Sequence, residues 1–135
     1  MPQFRTFFII IFWTFLAGCS GNVSLKGTVT FSDDGSPVPK GTVAFVQGGK
    51  MSRGTIKEDG SYVVGTEKEA DGIPPGTYQV FISGAKISTV IDAYNNAVHE
   101  PLIDTKYENP ETSGLSVVIP AEKNTYDIKV DRFGR

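Results

Sequence analysis

The chain has 135 residues, a length that allows one domain of ordinary size and leaves no room for a two-domain enzyme. Its composition, 39% hydrophobic and 21% charged with 15 glycines and 8 prolines, is too apolar for disorder and too rich in turn formers for a helical bundle, which leaves an all-β domain. A formal net charge of -2 without a basic cluster excludes nucleic acid as a partner, and one histidine and one cysteine leave little material for catalysis or metal binding.

Residues 1–18 read as an export signal. Arg5 precedes an apolar run from Phe7 to Leu16, about ten residues against the roughly 20 that a bilayer span requires, so a permanent span is not expected. The run ends in Leu16-Ala17-Gly18-Cys19. Small side chains at Ala17 and Gly18 let the backbone enter a peptidase site in extended form, and Cys19 supplies a nucleophilic thiol. The competing reading is a plain secretory signal with a chance cysteine.

Leu16 to Cys19 resemble the lipobox of bacterial lipoproteins. That resemblance implies cleavage before Cys19, acylation of its thiol and of the new amino terminus by palmitate-type chains, and a membrane anchor. Two or three acyl chains at about 0.8 kcal/mol per buried methylene hold firmly where one would be marginal. Ser20 follows, without the aspartate that marks inner-membrane retention in such proteins, which points to the outer membrane in a cell with two. Residues 19–24 are then a lipidated tether, and no thiol remains for disulfide or metal.

From Leu25 on, short alternating segments are separated by Gly, Pro, Asp and Asn clusters, the spacing of a sandwich. Leu25 to Phe31 is a first strand with Leu25, Val29 and Phe31 on one face. Asp33 to Pro37 is a hairpin-type turn in which Gly35 takes a positive φ, and Gly41 to Val46 follows with Val43 and Phe45 inward. Gln47-Gly48-Gly49-Lys50 reads as a flexible link. Arg53–Lys57 and Ser61–Val64 flank Glu58-Asp59-Gly60 as a hairpin, with Tyr62 and Val64 inward.

Ile73-Pro74-Pro75-Gly76-Thr77 is a corner, because two prolines remove ladder donors, and it feeds a strand from Tyr78 to Ser83. Tyr78, Val80 and Ile82 point inward there, and Phe81 falls on the outward side, packing under the next loop or marking a contact. Gly84 to Ser113 reads as one long irregular loop with a short helical turn near Thr89–Val98; loops beyond about 15 residues are uncommon unless functional or mobile. Two last strands, Leu115–Ile119 and Thr125–Val130, bring the expected total to seven.

The ordered set Val29-Thr30-Phe31, Asp34-Gly35-Ser36-Pro37-Val38, Gly41 to Phe45, Asp59-Gly60-Ser61-Tyr62 and Ile73 to Tyr78 resembles a carboxypeptidase regulatory-like domain. Lys106-Tyr107, Pro110 and Thr112-Ser113-Gly114-Leu115, followed by Asn124 and Asp127, are similar to the tail of small bacterial lipoproteins of this class, with Asp104 at a place where those commonly carry proline. The resemblance implies a seven-stranded antiparallel Greek-key sandwich of transthyretin (prealbumin) type over residues 25–131, a short tail at 132–135, and no catalytic residues to carry over.

His99 with Ser113 and Asp104 contains the residue types of a hydrolytic triad, but no strand-to-helix nucleophile elbow accompanies them. Asp33, Asp34, Glu58 and Asp59 are oxygen donors on turns, without the every-second-residue spacing of a calcium loop, so neither metal nor cofactor is expected. Phe81, Tyr94 and Tyr107 are the candidate partner contacts; the competing reading seats Tyr107 on the sandwich edge beside Pro110 while Thr112 and Ser113 turn the chain. The expectation is a lipid-anchored, non-enzymatic sandwich at the cell envelope, acting as a structural or protein-interaction module with an envelope protein or glycan. The alternative is a carbohydrate- or solute-binding lipoprotein working with a transport or surface complex.

Overall fold

Alternation of apolar and polar side chains builds the body. The computed structural model describes residues 21–91, 93, 94, 96–120 and 124–134. The expectations for Leu16, Ala17, Gly18 and Cys19 lie outside those residues. In chain order the strands are β1 (Lys26–Phe31), β2 (Gly41–Gln47), β3 (Lys50–Ile56), β4 (Ser61–Val63), β5 (Gly76–Ser83), β6 (Lys86–Ile91), β7 (Ala97–Pro101), β8 (Leu115–Ile119) and β9 (Ile128–Val130), with one 3-10 helix at Thr105–Glu108. Among the described residues no helix is long and apolar enough to cross a membrane.

The chain is an all-β sandwich. A three-stranded sheet in the order β4-β1-β9 packs on a four-stranded sheet in the order β3-β2-β5-β8, and β6 pairs with β7 as a separate ribbon. Leu25, Val29 and Phe31 from the first sheet face Val43, Phe45, Val80 and Ile82 from the second, all buried. Phe45 is the hub of this core, with its ring centroid 6.3 Å from Tyr62, 6.5 Å from Tyr78 and 6.2 Å from Tyr126. The Tyr62 hydroxyl donates to the Tyr126 carbonyl, and burial pushes that phenol well above its ordinary pKa, so it stays a donor. Among the described residues no buried side-chain polar atom lacks a hydrogen-bond partner.

Several expectations are corrected by the topology. Gly35 and Gly60 sit in turns with φ of 73° and 82° that fold the chain back on itself, Phe31 bonding Ser36 and Lys57 bonding Ser61, but the strands beyond them part: β1 and β2 lie in different sheets, as do β3 and β4. The 47–50 segment is no flexible link; Gln47 and Lys50 are in register, and Gly48 and Gly49 supply the two positive φ angles of a two-residue hairpin. The body is not wholly antiparallel, since β9 runs parallel to β1, with Val29 opposite Ile128 and Phe31 opposite Val130. β9 reaches β1 by crossing from the other sheet, so no tight turn dictates its direction.

The 84–113 stretch carries the largest departure. In place of a helical turn it forms the β6–β7 hairpin, with a bulge between Ser88 and Val90, and then the 3-10 helix. The run Ile87, Thr89, Val90, Ile91 is rich in β-branched residues, which lose rotamer freedom in a helix and fit extended backbone. Both ends of the expected domain also extend. Val23 exchanges backbone hydrogen bonds with Ile73, and Phe133 N–H donates to Leu102, so residues 23 and 133 belong to the folded body.

This topology separates two ends. Residues 21–23 pack beside Ile73, next to the Gly76 start of β5, whereas β6 departs from its Ser83 end. At about 3.3 Å per residue the strand holds these ends roughly 25 Å apart. Residues 21–23 and the base of the hairpin arm therefore sit toward opposite ends of β5.

Candidate functional site

The β6–β7 arm combines exposed apolar side chains with open strand edges. Ile91 and Tyr94 are 68% and 86% exposed, and Val98 is 38% exposed. Each arm strand is bonded on one side, Val90 facing Val98 and Ile91 facing Ala97, so the outer edges present backbone donors and acceptors. Two-stranded ribbons are marginal in water, and the base of this one supplies its support. Ala85 and Ile103 are buried, Leu102 N–H donates to Ala85 O at 2.8 Å, and Lys86 meets Glu108 at 3.5 Å.

Beneath the arm lies a charged cluster held by the carboxyl-terminal segment. Arg132 donates from Nε to Asp33 at 2.7 Å and from a terminal nitrogen to Asp34 at 3.0 Å, while its guanidinium stacks 3.7 Å from the Phe31 ring centroid. Asp131 accepts from Ser32 at 2.7 Å and from Lys106 at 3.0 Å. The Ser36 hydroxyl and amide, with Arg132 beyond them, hold the Asp34 carboxyl far below its usual range. Ser32 and then Lys106 lower that of Asp131 in the same way.

The candidate residues are not brought together. Tyr94 is at the exposed tip of the arm. Tyr107 is 6% exposed and belongs to the core; its hydroxyl donates to Asp131 and accepts the Asp131 N–H, both at 3.2 Å. A contact role for Tyr107 is therefore withdrawn, and it anchors the long connection instead. Phe81 is half-buried on the outward face of β5, in register with Ala44, which is 3% exposed.

The triad types are likewise dispersed. His99 lies on the exposed strand β7 in register with Ser88. Ser113 is buried and donates to the Val80 carbonyl, and Asp104 caps the 3-10 helix by accepting from Lys106 N–H at 2.9 Å. That cap is what the aspartate does where a proline was the expected type. Among the turn carboxylates, Asp33 and Asp34 are engaged by Arg132 and Asp59 by the Ser61 amide and hydroxyl. Among the described residues no three His, Cys, Asp or Glu side chains group to hold a metal.

Sequence reasoning missed the exposure of Ile91 and Val98, because a loop assignment hid the strands that carry them. It also missed Arg132, assigned to a tail; a single Arg 98 positions from Asp34 carries no local signal.

No family model and no curated protein matches the chain. Two solved structures show distant likeness. The major pilin subunit of Bacillus cereus aligns at 18% identity with a TM-score of 0.45, over 82% of this chain and 30% of that one. A 9R-lipoxygenase from Cyanothece aligns at 15% identity with a TM-score of 0.35, over 81% of this chain and 16% of that one. The chain thus spans less than a third of either protein.

Proposed function

We propose that the protein is a lipid-anchored, non-enzymatic adaptor of the cell envelope: a transthyretin-like Greek-key sandwich, tethered through Cys19, that presents the β6–β7 arm to a protein partner. The observation that carries the reading is the exposure of Ile91 and Tyr94, at 68% and 86%, on an arm that leaves the end of β5 opposite residues 21–23. Apolar side chains so exposed on a ribbon with open edges suit an interface, and edge pairing supplies the matching backbone bonds. A tether at one end and an arm at the other hold the contact surface away from the bilayer. The carboxypeptidase regulatory-like assignment rests on the turn order around Gly35, Gly60 and Pro74-Pro75 and on the two-sheet body.

The test has two arms. A clickable palmitate analogue should label the native chain and leave Cys19→Ala unlabelled; equal labelling of both removes the anchor. A photo-crosslinking side chain at Tyr94 in intact envelope should give one discrete adduct that is absent when the same group replaces Lys50 near the opposite end. The protein in that adduct, once purified, should bind the Tyr94→Ala chain about tenfold more weakly. Absence of any Tyr94-specific adduct, or a glycan in its place, removes the adaptor reading.

A further inference from the structure

A second site lies on the flank, where β3 and β4 run beside each other without forming a ladder. Lys57 N–H donates to Ser61 O at 2.9 Å, and Arg53 and Gly65 exchange two bonds of 2.9 Å. In that register Thr55 and Val63 stand opposite one another midway, yet no bond joins them among the described residues. Arg53 and Lys57 turn backbone groups away from β2, so Thr55 between them does the same. The strands instead approach closely at Gly54, where the Val63 carbonyl lies so near that a Cβ would sit 2.8 Å from it.

The gap opens into a cleft of about 750 Å³. Arg53 and Thr55 of β3, with Lys57 just past its end, form one wall, Val63 and Gly65 line it, and the loop carrying Glu67, Lys68 and Glu69 forms the other wall. None of these five charged side chains enters an ion pair among the described residues, whereas those at the arm end, Lys86, Lys106 and Arg132, all do. Asp59, which feels the Lys57 charge, is committed to Ser61. The loop wall is fixed in advance: Asp71 accepts the backbone N–H groups of Thr66, Glu67 and Lys68, and the Thr66 hydroxyl bonds Gly72 O at 2.7 Å and the buried Ser52 at 2.8 Å.

We propose that this cleft binds a short acidic peptide with a free amino terminus, its carboxylates toward Arg53 and Lys57 and its ammonium toward Glu67 and Glu69. The volume is that of a small-ligand site. Three cations against two carboxylates favour a ligand with one more negative than positive charge. A wall already held by Asp71 loses little freedom on binding. The inference depends on neither the lipid anchor nor the arm.

The probe is the dipeptide alanyl-glutamate, titrated into the full chain in mild detergent while backbone amide resonances are followed. Saturable shifts at Thr55, Val63 and Gly65 are expected. Arg53→Gln combined with Lys57→Gln should weaken binding about tenfold, as should Glu67→Gln combined with Glu69→Gln for the free peptide but not for its N-acetyl form. Unchanged resonances elsewhere report that these exposed substitutions leave the fold intact. Tyr94→Ala should bind the dipeptide like the native chain, which separates this site from the arm. No saturable shift at those amides, or equal affinity of N-acetylated and free peptide, overturns the proposal.

Discussion

The sandwich body and the β6–β7 arm obey opposite rules. In the body, Val29, Val43, Tyr62, Val64 and Val80 are fully buried, and every strand has a packed face. In the arm, Ile91, Tyr94 and Val98 face solvent and each strand has a single partner. Burial at about 25 cal/mol per Å² of apolar surface makes the first arrangement the source of stability, and the second contributes little to it. The two regions therefore separate what folds the chain from what the chain offers to a partner, and substitutions divide along that boundary.

The largest effect is expected at the hub. Phe45→Ala removes a ring that touches both sheets and should cost about 3–5 kcal/mol, read as a lowered urea midpoint. Gly27→Ala is next. Its methyl would lie 1.9 Å from the Tyr126 carbonyl oxygen and 2.7 Å from the Tyr62 hydroxyl, so β1 must shift against the β8–β9 connection, at about 1–3 kcal/mol. Ser113→Ala breaks the buried bond to Val80 and with it the anchor that leads into β8, at about 1–2 kcal/mol. A midpoint unchanged in any of the three would mean that the body is not held where its packing says.

How much of this was legible in the sequence follows from the range of each signal. Period-2 alternation marked Leu25, Val29 and Phe31 and also Tyr78, Val80 and Ile82 because burial on one face writes itself locally. The glycine turns at Gly35 and Gly60 were legible for the same reason, since a positive φ excludes most side chains. Sheet membership was not, because a turn residue records that the chain bends and not which sheet receives it. The parallel β1–β9 pairing and the Arg132 clamp join residues nearly 100 positions apart and leave no periodic trace.

Within the candidate sites the same limit applies. The arm gave no period-2 signal, because Ile87-Ser88-Thr89-Val90-Ile91 does not alternate apolar with polar side chains, so the 84–113 stretch read as irregular. The hairpin turn at Gly48-Gly49 is legible in the sequence: two adjacent glycines between a strand and a polar strand start match the two-residue hairpin rule. The flank cleft was invisible, since it depends on the close approach of Val63 to Gly54.

Acid should act on the body before the arm. Asp34, Asp59, Asp71 and Asp131 all have folded-state pKa values lowered from 3.8, chiefly by hydrogen bonds from Ser36, Ser61, Thr66 and Ser32 respectively. A lowered folded pKa means that the unfolded chain takes up protons first, so this stabilisation is complete above the ordinary carboxylate value and is lost as pH falls through the folded one. Urea midpoints should be level down to about pH 5 and decline below pH 4. Asp34→Asn should flatten part of that decline, and an undiminished slope in the variant would detach it from the Arg132 cluster.

The smallest effect on stability is expected at the arm tip, and it tests the division most directly. Tyr94→Ala or Ile91→Ser changes side chains that are mostly exposed, so the stability read from the urea midpoint should change by no more than about 0.5 kcal/mol. Amides of β6 and β7 should exchange with solvent through local opening, well ahead of those in β2 and β5, which have a bonded strand on both sides. Ile103→Ala, at the buried base, should speed exchange throughout the arm while also lowering the midpoint, because that side chain serves both regions. A Tyr94→Ala midpoint that fell as far as that of Ser113→Ala would place the tip against the body in solution, and the arm would then have no free surface with which to meet a partner.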